Sequence, residues 1–360
     1  MTAVTAFKPA AEGTRVAVRR ALAKWRKGLF GSPLNIAITL AYILFAAAVL
    51  WPFVRWAFVD AVFTGPRAAC DDRTGACWIF VIEKARFLVF ALYPRNLDGQ
   101  AAAATVLIAA TLVLMAAPRL WGRKLFALVI VGFAGAIGLM GGTLTGHPVP
   151  TQNWGGFPLT VLLAAVGFLG AFPLGIVLAL ARRSRMGLIR LLAVAFIEGF
   201  RGVPMIAVLY VSTLVFPLMI PAGASIDKLL RAQIAIILFV AAYMAEIVRS
   251  GLQSVETSQL EGGRALGLSD RQTMQLIILP QALRRVIPSF VNLAIGLFLD
   301  TTLVTVIGLF DFLNTARAAA TDPNWLGFYN EAFTVAAIVY FVISAAGSRY
   351  SLWLERRLKV

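Results

Sequence analysis

Charge, histidine and cysteine are all scarce in this 360-residue chain: 14% of its residues are charged, one is a histidine and two are cysteines. The one histidine, His147 in GTLTGHPVP, cannot make a metal site by itself and reads as solvated, and no Ser/His/Asp or His/Glu cluster is present. The pattern G-x-x-x-x-G-K-[ST] is also missing, so the chain has no P-loop with which to hold ATP. What fills the chain instead is apolar: 60% of the residues are hydrophobic and the mean hydropathy is +0.82, outside the composition of soluble domains. It reads as an all-α polytopic membrane protein that does no bond chemistry itself.

Apolar runs near the twenty or so residues needed to cross a bilayer occur at about 34 to 58, 101 to 117, 125 to 142, 157 to 181, 190 to 218, 230 to 248, 286 to 310 and 332 to 353, which predicts eight spans. The net charge of +16 does not point to nucleic acid, because about 23 of the 33 Lys and Arg fall in alternate connections that share one side with the N-terminus. That bias places both termini in the cytoplasm. The basic region before the first span is long and the span exceeds a signal core, so it reads as an anchor rather than a cleaved signal.

Residues 1 to 33 form a basic cytoplasmic tail in which Arg15, Arg19, Arg20, Lys24, Arg26 and Lys27 are set to meet anionic headgroups. Three spans follow over 34 to 154, with an external segment at 59 to 100 that holds both cysteines in CDDRTGAC. Cys70 and Cys77 would close an eight-residue loop in an oxidising periplasm; two free thiols, or part of a metal site, are the other readings. The run WIFVIEKARFLVFALYP carries Glu83, Lys84 and Arg86 mid-run and so reads as a helix lying on the outer interface. Residues 155 to 360 form a five-span unit with polar residues inside its spans.

Those polar residues are the candidates for a solute path. Glu198 and Arg201 are three apart and can pair on one helix face; counted from Arg190 along a straight span they lie roughly 12 to 16 Å deep. Glu246 and Arg249 stand at the cytoplasmic end of the sixth span, where the plainer reading is that a basic residue suits a helix C-terminus and can snorkel. Asp300, followed by Thr301 and Thr302, has no cation within a helical turn, and a carboxylate so placed must find a partner or take up a proton. Arg201, or a basic residue of another subunit, is the expected partner.

A long polar interruption between two apolar spans is residues 249 to 285. Leu260 to Leu266 reads as a short helix with Glu261 in its first turn, Gly267 as a stop of the kind that needs positive φ, and Ser269 with Asp270 as the cap of a second helix at Thr273 to Leu279. Pro280 then returns the chain to the membrane. Two short helices at a bend can dock in a cleft on another protein; an amphipathic loop on the bilayer surface is the plainer alternative.

The spacing Glu261, five residues, Gly267, nine residues, then Ile277-x-Leu279-Pro280 resembles the cytoplasmic coupling (EAA) loop of permease subunits of bacterial ABC importers. Further matches are E-x-x-R-G-x-P at Glu198, Arg201, Gly202 and Pro204, AAYMAEIVRSG at Ala241 to Gly251, and DTTLVTVIGLFDFL at Asp300 to Leu313. Together they resemble the type I permeases of the polar amino acid group, and the three extra spans with GACW at Gly75 to Trp78 resemble the larger M-type permease of the general L-amino acid system.

The resemblance implies a membrane subunit for ATP-driven uptake of L-amino acids. It pairs with a second permease, two ATPase subunits that carry ATP and Mg, and a periplasmic binding protein. It also implies that Glu261, Gly262, Gly263, Ala265, Leu266, Gly267, Leu268, Ile277, Leu279 and Pro280 couple the spans to the ATPase. Two departures stand out: Gly262 and Gly263 replace the usual alanines, costing an isolated helix roughly 1 kcal/mol each, and Leu299 stands where the family commonly has lysine. A rival from another class is a proton-coupled secondary transporter working through Asp300 or Glu198. Paired inverted halves would mark it, and the chain shows three plus five spans instead.

Overall fold

A computed structural model describes residues 28–71, 74–219, 221 and 226–358. The tail arginines and lysines named above, Arg15 to Lys27, lie outside the described residues, as does Lys359. The chain divides into two compact units, Met1–Ile79 and Phe80–Val360.

In the first unit, α1 (Pro33–Val54) starts where the Ser32 hydroxyl accepts from the Asn35 N–H at 3.1 Å, with proline at the first turn. It continues through a π turn at Arg55–Val59, and no residue of α1 is buried. Beyond it, Cys70 and Cys77 are joined by a disulfide with Cα atoms 5.8 Å apart. Cys77 also bridges Val62, and the Trp78 indole N–H donates to the Ala57 carbonyl at 2.8 Å, so the short loop is tied to the end of the first helix.

α2 (Trp78–Phe90), whose first turn ends the first unit, is only 13 residues long, too short to cross a bilayer. Its mid-run charges are used in the second unit. Lys84 meets Asp322 at 2.7 Å. Arg86 meets Asp98 at 2.6 Å and donates to the carbonyl of Tyr93 at 2.5 Å, pinning the turn that leads into α3 (Asp98–Met115). α3 and α4 (Arg123–Gly141) form a hairpin. A Cβ at Gly132 would stand 2.4 Å from the Thr111 hydroxyl, so a small residue is what lets the two backbones approach.

The centre of the second unit is the seam between α5 (Gly156–Ala181) and α8 (Lys228–Ser254). A Cβ at Gly167 would lie 2.7 Å from Ile236, one at Gly170 2.7 Å from Ile237, and one at Gly175 2.5 Å from Met244. Around them Leu159, Leu163, Ala171, Ile236 and Ala241 are fully buried.

Between these helices lies α6 (Gly187–Arg201), followed by α7 (Met205–Tyr210) and tighter or wider turns to Met219. The sequence predicts one straight span over 190 to 218, but the chain bends there by 105°. Pro204 supplies the reason: it lacks an N–H and disfavours helical backbone at the residue before it, so the helix ends and restarts from Pro204 in extended conformation. Among the described residues six helices are long and apolar enough to cross a membrane, the bent pair counts as a seventh span, and the shorter apolar stretch Ala127–Gly141 is the eighth apolar segment. The protein is all-α and polytopic, with about eight spans.

The polar interruption folds as α9 (Thr257–Ala265), α10 (Asp270–Thr273), a π turn at Met274–Ile278 and α11 (Leu279–Arg285), leading into α12 (Ile287–Asp300). Three expectations shift. α9 begins at Thr257, so Glu261 sits in its second turn rather than its first. The second helix starts at Asp270 and runs on through Pro280, because the wider π turn relaxes the ladder where the proline ring would otherwise clash. Ser269 caps it in a box with Gln272, not with Asp270. Gly267 has φ +75, as a left-handed helix stop requires. After α12 come a 3₁₀ segment (Thr301–Ile307), the two-residue β1 (Phe310–Asp311), α13 (Phe312–Ala319) and α14 (Tyr329–Leu358).

Two expected outcomes follow. The hydrogen bond from Lys84, with that from the Asn324 N–H, holds the Asp322 carboxyl below its ordinary range. Its contribution is therefore present above the unfolded value of about 3.9 and is lost as pH falls through the lower folded value. Asp322→Asn should lower the melting temperature of the detergent-solubilised protein at pH 7 by the equivalent of under about 1 kcal/mol. The difference from wild type should close below about pH 4. Secondly, a Cβ at Gly262 meets nothing within 4 Å, whereas one at Gly263 stands 2.5 Å from Thr273. Gly262→Ala should stabilise the segment by roughly 1 kcal/mol, and Gly263→Ala should cost about 1–3 kcal/mol, read as opposite shifts in resistance of this segment to limited proteolysis.

Candidate functional site: a charge cluster behind a membrane cavity

Five charged side chains from three helices meet where α5 ends. Arg182, at the C-cap of α5, reaches Glu198 of α6 at 3.2 Å and Glu246 of α8 more closely still. Arg249, one turn after Glu246, holds it at 2.8 Å. Arg201 lies 3.8 Å from both Glu198 and Glu246. The expected Glu198–Arg201 pair is therefore the looser of the contacts Glu198 makes. Residue counting assumes a helix standing along the membrane normal, whereas Glu198 reaches the residue that caps α5. α6 thus keeps its charged end level with the end of α5.

In front of this cluster is a cavity of about 520 Å³, lined by Arg201, Pro204, Met205, Phe239, Tyr243, Gly296, Leu297 and Asp300 among others. Arg201 also lies over the Tyr243 ring, 5.9 Å from its centroid. Asp300 faces the same space, but among the described residues it makes no ion pair within 4.0 Å, so the expected contact with Arg201 is replaced by a shared cavity. Glu198 and Glu246 stand behind Arg201 rather than in the lining. Thr301 and Thr302 donate to the carbonyls of Phe298 and Leu299 at 2.7 and 2.8 Å, which spends their protons on the backbone.

Sequence reasoning missed two residues. Arg182 is one of several arginines in a basic turn, and its partners lie far along the chain, so no local spacing marks it. Asp311 lies inside a quoted motif and received no role. It is fully buried and accepts from the Thr305 hydroxyl at 2.8 Å and from the N–H groups of Asn314 and Leu313 at 3.0 and 3.1 Å, capping α13. Burial pushes its carboxyl up, against those hydrogen bonds. An aspartate directly before an apolar helical run was the available signal.

On the polar segment, Glu261, Gly262, Ala265 and Gly267 are exposed, and Leu266 is 78% exposed. Leu268, Ile277 and Leu279 are half-buried and Pro280 is exposed. Asp270 joins Arg264 of α9 at 3.1 Å to Arg185 of the turn after α5 at 3.3 Å, so the two short helices are linked to the turn that also carries Arg182.

Comparison with known proteins places this geometry. The model of the family "Binding-protein-dependent transport system inner membrane component" matches residues 171–360. The "Inner membrane amino-acid ABC transporter permease protein YhdY" of Escherichia coli K12 is 41% identical over 94% of this chain and 93% of its own length. The "Glutamate/glutamine/aspartate/asparagine transport system permease protein BztC" of Rhodobacter capsulatus is 33% identical over 93% of each. A solved structure, "Crystal structure of an amino acid ABC transporter with histidines", aligns with a TM-score of 0.51 at 28% identity, covering 56% of this chain and 91% of that one. The bent short helices, the cavity between spans and these matches agree, and the chain belongs to the family of inner-membrane components of binding-protein-dependent transport systems.

Proposed function

We propose that this protein is a permease subunit of an ATP-binding cassette importer for L-amino acids, of the larger type with three spans (34–154) ahead of a five-span core (155–360). The observation that carries the reading is the exposed pair of short helices around Gly267 on a chain whose full-length relatives are named as amino-acid ABC permeases. The chain has no P-loop, so ATP and Mg belong to a partner ATPase that receives Glu261 to Pro280 in a groove. A second permease completes the path, a periplasmic binding protein delivers the solute, and both termini are cytoplasmic, as the distribution of basic residues supports. Closure of the ATPase pair swings the spans between outward and inward states. Arg201 and Asp300, facing one cavity with opposite charge, suit the carboxylate and ammonium of an amino acid.

Pull-down of the solubilised chain should bring the ATPase with it, and Glu261→Arg should release that subunit. Retention of the ATPase by Glu261→Arg would remove Glu261 from the interface. In vesicles, uptake should need the partner ATPase, the binding protein and ATP together; accumulation by this chain alone would end the reading. With assembly unchanged, Asp300→Asn should cut uptake at least tenfold, the loss expected when a charged contact worth about 1.4 kcal/mol or more is removed.

A further inference from the structure

The cluster behind the cavity holds three cations and two anions, and the distances show how they are shared. Glu198 has Arg182 at 3.2 Å and Glu246 has Arg249 at 2.8 Å, with Arg182 closer still, whereas Arg201 stands 3.8 Å from each carboxylate. At the shorter separations a guanidinium makes directed, charge-assisted hydrogen bonds; at 3.8 Å it has only the ionic attraction. Each glutamate thus has a nearer arginine, and the cation left over is the one that borders the cavity and lies over Tyr243.

We infer that Arg182 is a positioning residue: by occupying Glu198 and Glu246 it keeps the Arg201 guanidinium turned to the cavity and open to the carboxylate of a passing solute. The inference rests on reading the cavity as the solute path. It makes a charge-counting demand that a simple structural role does not. Loss of Arg182 leaves two arginines for two glutamates, so Arg201 is drawn back onto Glu198. Removing Glu198 as well frees Arg201 again, because Arg249 alone still holds Glu246.

The test is phenylglyoxal labelling of Arg201 in the purified, complete importer, followed by mass spectrometry. Wild type and Arg182→Lys should label at similar rates, Arg182→Gln severalfold more slowly, and Arg182→Gln with Glu198→Gln again at the wild-type rate. Unchanged labelling in Arg182→Gln, or no recovery in the double variant, overturns the inference. So does faster labelling of Arg201 together with its neighbours, the sign of a loosened fold. Uptake of a mixture of 14C-labelled L-amino acids by the same four proteins should follow the same order. If wild type carries none of the mixture while the labelling order holds, the assignment of solute fails and the role of Arg182 stands.

Discussion

The meeting of Arg182, Glu198, Arg201, Glu246 and Arg249 is the interaction on which the working half of the molecule depends. Charges near hydrocarbon survive only when paired or hydrated, and here one cluster joins the ends of α5, α6 and α8. Removing one partner from such a network costs more than the network adds, because the remaining charge is left without compensation. The arrangement therefore fixes where three helices meet rather than contributing much net stability. The cavity owes its position to that junction, since Arg201 belongs both to the cluster and to the lining.

The same junction lies next to the segment that carries the short helices α9 to α11. The turn between α5 and α6 carries Arg182 at one end and Arg185 at the other, and Arg185 meets Asp270 of the short helices. The exposed Arg185–Asp270 pair is a weak contact by itself. Its place matters more than its strength, because it connects a surface segment to the charge cluster behind the cavity through four residues of backbone.

Much of this was legible in the sequence where a local rule governs the structure. The apolar runs, Gly267 at positive φ and the Ser269 cap all follow from hydrophobicity or from backbone chemistry within a few residues. Legibility failed where distant segments decide. Pro204 is visible, but a run of apolar residues gives no measure of the 105° bend it permits. Glu198 and Arg201 satisfied the spacing rule for a helical pair, yet Arg182, sixteen positions earlier, is the closer partner of Glu198. Gly263 likewise departs from the alanine usual in the motif this segment resembles for a reason local propensity cannot express, since the methyl group would collide with Thr273 across the bend.

The seam of α5 against α8 has a mechanical corollary. With glycines at 167, 170 and 175 each filled by a side chain of the facing helix, the two cannot glide past one another without driving methyl groups into backbone. They behave as a single spar. The hollow beside them is bordered by Gly202 to Pro204, where the ladder of hydrogen bonds is interrupted and the wall is not braced in this way.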